Sequence, residues 1–135
     1  MRILHVIGSF LPVKGGGPYY VHHLSRHLER LGHECLVVTT DVTGTEPTIE
    51  TVETRRATAK TVAGLPVAPS FPLELRRAIR SFDPDVVHGN YPLPLYPDVA
   101  ALAARRYDVP YVLTAHGALE MDLGSFIGAF GAIYN

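Results

Sequence analysis

The strongest constraint on the fold is a strand–loop–helix–strand pattern in the first forty residues. Residues 2–7 form an apolar run without polar alternation, which predicts a buried strand. Apolar residues of segment 18–31 then recur at the spacing of one helix face, namely Val21, Leu24, Leu28 and Leu31. Gly32 suits a helix end, and residues 34–40 predict a second strand. Such a unit implies parallel strands joined by a right-handed crossover.

The same alternation continues along the rest of the chain. Further strands are predicted at residues 49–54, 61–67, 85–88 and 109–114, further helices at residues 73–82 and 98–106, and the start of a helix at residues 119–135. In the helix at 98–106 we expect Val99, Leu102 and Ala103 to face inward. Alternating strands and helices predict an α/β fold, a doubly wound, Rossmann-like parallel sheet with helices on both faces.

Three consecutive glycines, Gly15, Gly16 and Gly17, separate the first strand from the first helix. Because they lack Cβ atoms, the backbone there can approach a ligand closely. Pro18 suits the first helical position, and the free N–H groups and dipole of a helix start favour an anion. The loop is also longer than most βα connections, which have about 2–6 residues. We interpret it as an anion-binding loop; a surface loop without a ligand is the alternative.

Polar residues follow two later strands. His88 ends the strand at 85–88, Asn90 and Tyr91 follow it in a predicted loop, and His116 follows the strand at 109–114. Ligands of such sheets bind at the carboxyl ends of the strands, so we expect these residues and the glycine loop to converge on one edge. His116 suits a hydrogen bond to a substrate hydroxyl, and a structural histidine bonded within the protein is the equal alternative.

Length and charge restrict the classes of protein. A chain of 135 residues suits one domain, and a net charge of −1 gives no indication of a nucleic-acid surface. The lone cysteine, Cys35, excludes a disulfide scaffold and a four-cysteine metal site, and we expect it to be a buried thiol. No apolar run has the length of a membrane span, so we expect a cytoplasmic protein, with a peripheral position at a membrane left open.

Two sets of residues suggest other chemistry and are set aside. His22, His23 and His27 lack the intervening glutamate and the third ligand of a metal-binding helix, so we predict a helix face and no metal site.

Asp41 ends the second strand, where NAD-binding domains carry a ribose-binding acid, but six non-glycine residues separate Gly8 from Gly15. That spacing does not fit G-x-G-x-x-G. An NAD-type oxidoreductase domain and a non-catalytic binding or assembly module remain as alternatives.

Several segments together resemble a known family. These are the loop ending in Gly-Gly, LGHE at 31–34, DPDVVH at 83–88 and TAHG at 114–117. In order and spacing the chain resembles the N-terminal domain of retaining GT-B glycosyltransferases of family 4. The resemblance implies transfer of a sugar from a nucleotide-sugar donor with retained anomeric configuration, without a metal or other cofactor.

The resemblance also implies roles for individual residues. In that family the corresponding glycines approach the donor diphosphate, so Gly15, Gly16 and Gly17 are the predicted donor- and phosphate-binding residues. His116 contacts the transferred sugar near the reaction centre and is the predicted catalytic residue. Backbone N–H groups of such a loop can stabilise charge that grows on the departing diphosphate.

On the acceptor side the resemblance implies that His88, Asn90 and Tyr91 bind a sugar or lipid-linked acceptor. The chain departs from the family pattern at two positions. Tyr19 stands where the family often has glutamate, and Asn90 stands where it often has a second histidine. Both departures bear on the identity of the acceptor more than on the reaction class.

Length is the larger departure from the family. Its members have a second α/β domain that binds most of the nucleotide. We therefore expect residues 1–135 to form a single acceptor-side N-terminal domain, truncated at its C-terminal end and without the C-terminal donor-binding domain. We expect this chain alone to be inactive, and its apolar tail at residues 126–134 to drive self-association.

Overall fold

A computed structural model describes residues 1–41, 44, 52–91 and 95–116. The elements are β1 (Arg2–Ser9), α1 (Gly16–Arg30), β2 (Glu34–Asp41), β3 (Thr54–Thr58), β4 (Lys60–Val62), β5 (Leu65–Val67), α2 (Phe71–Phe82), β6 (Val86–Tyr91), α3 (Tyr96–Arg106) and β7 (Tyr111–Ala115). Within these residues, five strands form a parallel sheet in the order β3-β2-β1-β6-β7, and β4 and β5 form a separate antiparallel hairpin. The predicted doubly wound α/β fold is confirmed.

The two faces of the sheet are buried differently. One face packs on α2 and α3 through a continuous apolar core that includes Leu4, Leu36 and Val87. The other face packs on α1 through a smaller cluster that includes Ile7 and Val21. Burying each such side chain contributes about 1.5–3 kcal/mol, so these clusters supply most of the driving force that holds the layers together.

The α1 face also carries a polar stripe across its central and edge strands. Parallel pairing places His5 of β1 beside His88 of β6, and Asn90 of β6 beside Thr114 of β7. Residues two apart on a strand share a face, so His88 and Asn90 of β6 point to the same side. This stripe forms the floor of the candidate site.

The ends and faces of α1 differ from the prediction. The helix begins at Gly16 rather than at Pro18, which is its third residue. A proline is tolerated there because the first four N–H groups of a helix have no partner within it. Leu31 lies beyond the helix and is 65% exposed, whereas Ser25 occupies the buried line with Val21. Gly32 has the expected positive φ, 91°.

The inward face of α3 also differs. Tyr96, Ala100 and Ala104 are buried, whereas Leu102 is 64% exposed. Buried residues at i, i+4 and i+8 define one helix face, and two alanines there let the helix lie close to the sheet. Val99 and Ala103 flank this line and are partly buried, as predicted.

Two strand predictions are also corrected. Residues 61–67 form a hairpin instead of one strand, because Ala63 and Gly64 both have positive φ and make a tight turn. β6 extends to Tyr91, so Gly89, Asn90 and Tyr91 lie in a strand rather than in the predicted loop. β3 occupies Thr54–Thr58, so the strand predicted at 49–54 overlaps it only at Thr54, and residues 55–58 were left unassigned by the sequence pattern.

Some predicted segments lie outside the described residues. These are residues 49–51 of a predicted strand and the whole predicted helix at 119–135, including the apolar tail at 126–134. Of residues 52–54, only Thr54 is in a strand.

Candidate functional site

The site lies at the carboxyl edge of three adjacent strands. β1, β6 and β7 are neighbours in the sheet and run parallel, so the glycine loop after β1, Tyr91 at the end of β6 and His116 after β7 open on the same edge. Tyr20 of α1 lies against His116, with ring centroids 4.5 Å apart. The convergence predicted from the sequence is therefore present among the described residues.

The first part of the loop after β1 is anchored in the protein interior. Phe10 and Leu11 are buried in the apolar cluster beneath α1. The Thr40 hydroxyl donates to the carbonyl of Gly8 at 2.6 Å, and the Arg56 guanidinium donates to the carbonyl of Leu11. These contacts fix where the chain turns toward the glycines, so the start of α1 has a defined position relative to the sheet.

The glycines themselves form an open helix start. Gly15 is the N-cap residue of α1, Gly16 and Gly17 are its first two residues, and no side chain of the described residues caps them. A Cβ at Gly16 would meet nothing within 4 Å. The loop lines a cavity of about 180 Å³ together with Lys14. Uncapped N–H groups beside a lysine suit an anion, and donor binding by Gly15, Gly16 and Gly17 stays a prediction.

Asn90 and His116 are joined by a hydrogen bond. Nε2 of His116 lies 2.9 Å from Oδ1 of Asn90, and the backbone N–H of His116 donates to the carbonyl of Tyr91 at 3.3 Å. Burial lowers the pKa of His116 below its ordinary value, so the imidazole is neutral near pH 7. The ring is held at the site's edge from β6 as well as from its own strand.

A second chain of hydrogen bonds runs below this pair. Nδ1 of His5 and Nδ1 of His88 are 3.0 Å apart, and Nε2 of His88 lies 2.7 Å from Oγ1 of Thr114. Burial, and then the neighbouring His88, lower the pKa of His5 to about 3. Burial, and then His116, lower the pKa of His88. Both imidazoles are therefore neutral near pH 7, and one donates its Nδ1–H to the other.

These contacts bear on the predicted acceptor residues. Asn90 is fully buried and its amide is engaged on both sides, and both ring nitrogens of His88 are engaged. Tyr91 is half-buried at the end of β6, and burial and then Asp98 raise the pKa of its phenol. Acceptor binding by the three residues stays a prediction, and Tyr91 is the most accessible of them.

Sequence reasoning missed two residues of the site, His5 and Tyr20. His5 sits in an apolar strand, where its only signal was that a polar residue interrupts a buried run. Tyr20 is the fifth residue of α1 and is 42% exposed. Its ring contacts His116 at the sheet edge. In the sequence, Tyr20 could have been recognised as an aromatic residue one helical turn after a glycine-rich helix start.

Two neighbouring predictions concern histidines and the cysteine. Within the described ranges, no three histidine, cysteine, aspartate or glutamate side chains are grouped closely enough to hold a metal ion. Cys35 is buried and free, as predicted, and burial together with Glu29 raises the pKa of its thiol to about 11.

No helix in the part of the chain that the structure describes is long and apolar enough to cross a bilayer.

Fold and site together define the class of protein. A parallel α/β sheet with a glycine-opened helix and polar side chains at its carboxyl edge is a ligand-binding doubly wound domain. More specifically, residues 14–134 match the family profile Glycosyltransferase Family 4, and the chain belongs to that family. The resemblance carried by its sequence motifs is confirmed.

Individual relatives agree with this family. The chain is 35% identical to a GDP-mannose-dependent alpha-mannosyltransferase of Mycobacterium tuberculosis (strain CDC 1551 / Oshkosh), over 97% of this chain and 35% of the relative. It is 31% identical to a glycogen synthase of the same organism, over 86% of this chain and 33% of the relative. A glycosyltransferase structure from Rickettsia africae ESF-5 superposes with a TM-score of 0.57 and 18% identity, covering 98% of this chain and 34% of that one. The chain thus spans about a third of the length of these proteins.

Proposed function

We propose that this chain is the acceptor-side N-terminal domain of an enzyme that transfers a sugar from a nucleotide-sugar donor with retention of anomeric configuration. The observation that carries the proposal is the meeting of α1 and His116 at one sheet edge, through the contact between Tyr20 and His116. The family match favours this function over an NAD-type oxidoreductase domain or a non-catalytic module.

The glycine-opened end of α1 is proposed to face the donor diphosphate. Gly15, Gly16 and Gly17 present backbone without side chains, and the helix dipole adds partial positive charge at the same point. As the sugar–phosphate bond breaks, negative charge grows on the departing diphosphate. Donors that are already in place stabilise that charge without reorganising, which lowers the barrier.

His116 is proposed to contact the transferred sugar. It is neutral near pH 7, so it can exchange a hydrogen bond with a sugar hydroxyl without placing a full positive charge beside the donor. Tyr20 covers one side of its ring. On the acceptor side, His88, Asn90 and Tyr91 are proposed to shape the site for a sugar or lipid-linked acceptor, with Tyr91 the residue best placed for direct contact.

A C-terminal donor-binding domain is the proposed partner of this domain, and the reaction is proposed to need no metal or other cofactor. The relatives are about three times as long as the chain. One relative is named for GDP-mannose, so GDP-mannose is the first donor to test, and the proposed donor class is a nucleoside diphosphate hexose. The cytoplasm, including the surface of a membrane, is the proposed location.

The test compares the 135-residue chain with a chimera in which it replaces the matching N-terminal third of the mannosyltransferase relative. Radiolabelled GDP-mannose is supplied with a panel of sugar and lipid acceptors, and circular dichroism confirms that both proteins are folded. We expect transfer by the folded chimera and none by the chain alone. Transfer by the chain alone would refute the need for a second domain, and a folded chimera that binds GDP-mannose without transferring it would refute the proposed catalytic role.

A further inference from the structure

The amide of Asn90 has only one orientation that its surroundings allow. Asn90 is fully buried in β6, and its Nδ2 donates to the backbone carbonyl oxygens of His88 at 3.1 Å and Val6 at 3.4 Å. Rotating the amide by half a turn would bring Oδ1 against two carbonyl oxygens, which are acceptors as well. The backbone therefore directs Oδ1 toward His116.

This orientation determines where His116 carries its proton. An amide oxygen only accepts hydrogen bonds, so the ring nitrogen that faces it must be an N–H donor. That nitrogen is Nε2, 2.9 Å from Oδ1. In a neutral imidazole the other nitrogen then carries a lone pair. Nδ1 of His116 is consequently an acceptor, and no described residue bonds to it.

We propose that Asn90 is a positioning residue that holds His116 as the Nε2–H tautomer, so that Nδ1 accepts a hydrogen bond from a hydroxyl group of the sugar substrate. The identity of the ligand rests on the proposed function. The tautomer does not, because it follows from the contacts of Asn90 alone.

The remaining contacts of His116 agree with this role. Tyr20 of α1 packs on the ring with an interplanar angle of 59°, and the backbone N–H of His116 bonds to Tyr91. The ring is thus held by an amide, an aromatic side chain and its own backbone. Tyr20 and His88 are titratable side chains that face it, and burial keeps His88 neutral near pH 7.

The test is nitrogen-15 NMR of the histidine imidazoles in the 135-residue chain near neutral pH, without substrate. His116 is assigned by comparison with a His116→Gln variant. We expect the His116 signals of a neutral ring with a proton on Nε2 and none on Nδ1. A proton on Nδ1, or a doubly protonated ring, would overturn the proposal. The wild-type measurement decides this point without any variant of Asn90.

An Asn90→Asp variant tests the same contact by charge. A carboxylate facing Nε2–H should raise the pKa of His116 by about one unit or more. Leu113→Asp is the matched control, because it adds the same charge on β7, at a 53% exposed position on the opposite face of the sheet. A folded Asn90→Asp protein with the same His116 pKa as the control would overturn the proposal. The Nε2–H tautomer without sugar transfer by the chimera would instead refute the proposed function.

Discussion

At the scale of single residues, His5 and His88 place two imidazole rings inside the sheet, with their Nδ1 atoms 3.0 Å apart. A charged ring there would lose its hydration and face a second ring, so both stay neutral. Nε2 of His5 has no hydrogen-bond partner among the described residues. A polar atom buried in this way costs stability.

The first prediction concerns stability and pH. The pKa of His5 falls from 6.5 in the unfolded chain to about 3 in the folded protein. Between these values the unfolded chain binds a proton that the folded protein does not. The free energy of unfolding therefore has its full value above pH 6.5. It falls by about 1.4 kcal/mol per pH unit as the pH drops from 6.5 toward 3.

The measurement is urea unfolding at several pH values for the wild type, for His5→Leu and for His27→Gln on the exposed surface of α1. We expect His5→Leu to have a shallower decline in stability between pH 6.5 and 4, whatever its stability at pH 7, and His27→Gln to match the wild type. Parallel curves for all three proteins would contradict the assignment of the lowered pKa to His5.

The second prediction concerns Gly89, beside Asn90. A Cβ at this position would lie 2.1 Å from the hydroxyl oxygen and 2.8 Å from Cζ of Tyr111, whose hydroxyl donates to the carbonyl of Pro97. Gly89→Ala should therefore push this tyrosine aside and cost about 1–3 kcal/mol. Gly16→Ala is the control, because a Cβ at that position has open space. Equal urea midpoints for the two variants would contradict this packing.

At the scale of elements, α3 shows which part of a helix the apolar pattern predicts correctly. Leu102 is the larger residue and was expected inside, but the sheet contacts the line of Ala100 and Ala104. Judged by the size of the apolar side chain alone, Leu102 would be the residue that faces the sheet. A close helix-to-sheet distance selects small residues, and that distance depends on neighbouring layers rather than on the helix sequence.

The third prediction follows from this face. Ala104→Leu should cost about 1–3 kcal/mol, because it adds three carbon atoms to a fully buried position. Leu102→Gln should change the free energy of unfolding by less than about 0.5 kcal/mol, because the side chain is mostly in solvent. Denaturant titration of both variants measures the free energy of unfolding. A larger loss of stability for Leu102→Gln than for Ala104→Leu would show that Leu102 faces the core, as the sequence pattern predicts.

Most elements of the sheet could be predicted because their signals are local. β1, α1 and β2 have continuous apolar or helical patterns, so their positions along the chain were predicted, although the ends shifted and Ser25 rather than Leu31 lies on the buried face of α1. β3 is different, since its Thr-Arg-Arg-Ala-Thr sequence lacks an apolar pattern and becomes a strand by pairing with β2. The hairpin of β4 and β5 depends on a turn with alanine at a positive φ, which sequence preference disfavours.

At the scale of the whole molecule, strand order brings together residues that are far apart in sequence. His116 meets Asn90 after 26 residues, and His5 meets His88 after 83. The rule that ligands bind at the carboxyl edge of parallel strands predicted that the glycine loop, Tyr91 and His116 would meet at one edge of the sheet, and there the structure places them. It could not predict which polar atoms are used within the protein, because that requires the register between strands.

The central claim is that α1 and His116 form part of one glycosyl-transfer site. The most direct measurement is kcat for sugar transfer from GDP-mannose by the folded chimera, with His116→Ala compared with His27→Ala. Losing a preorganised contact at the reaction centre should lower kcat about 10²–10³-fold, while His27→Ala should retain wild-type kcat. A His116→Ala chimera that transfers sugar as fast as the His27→Ala chimera would contradict the claim.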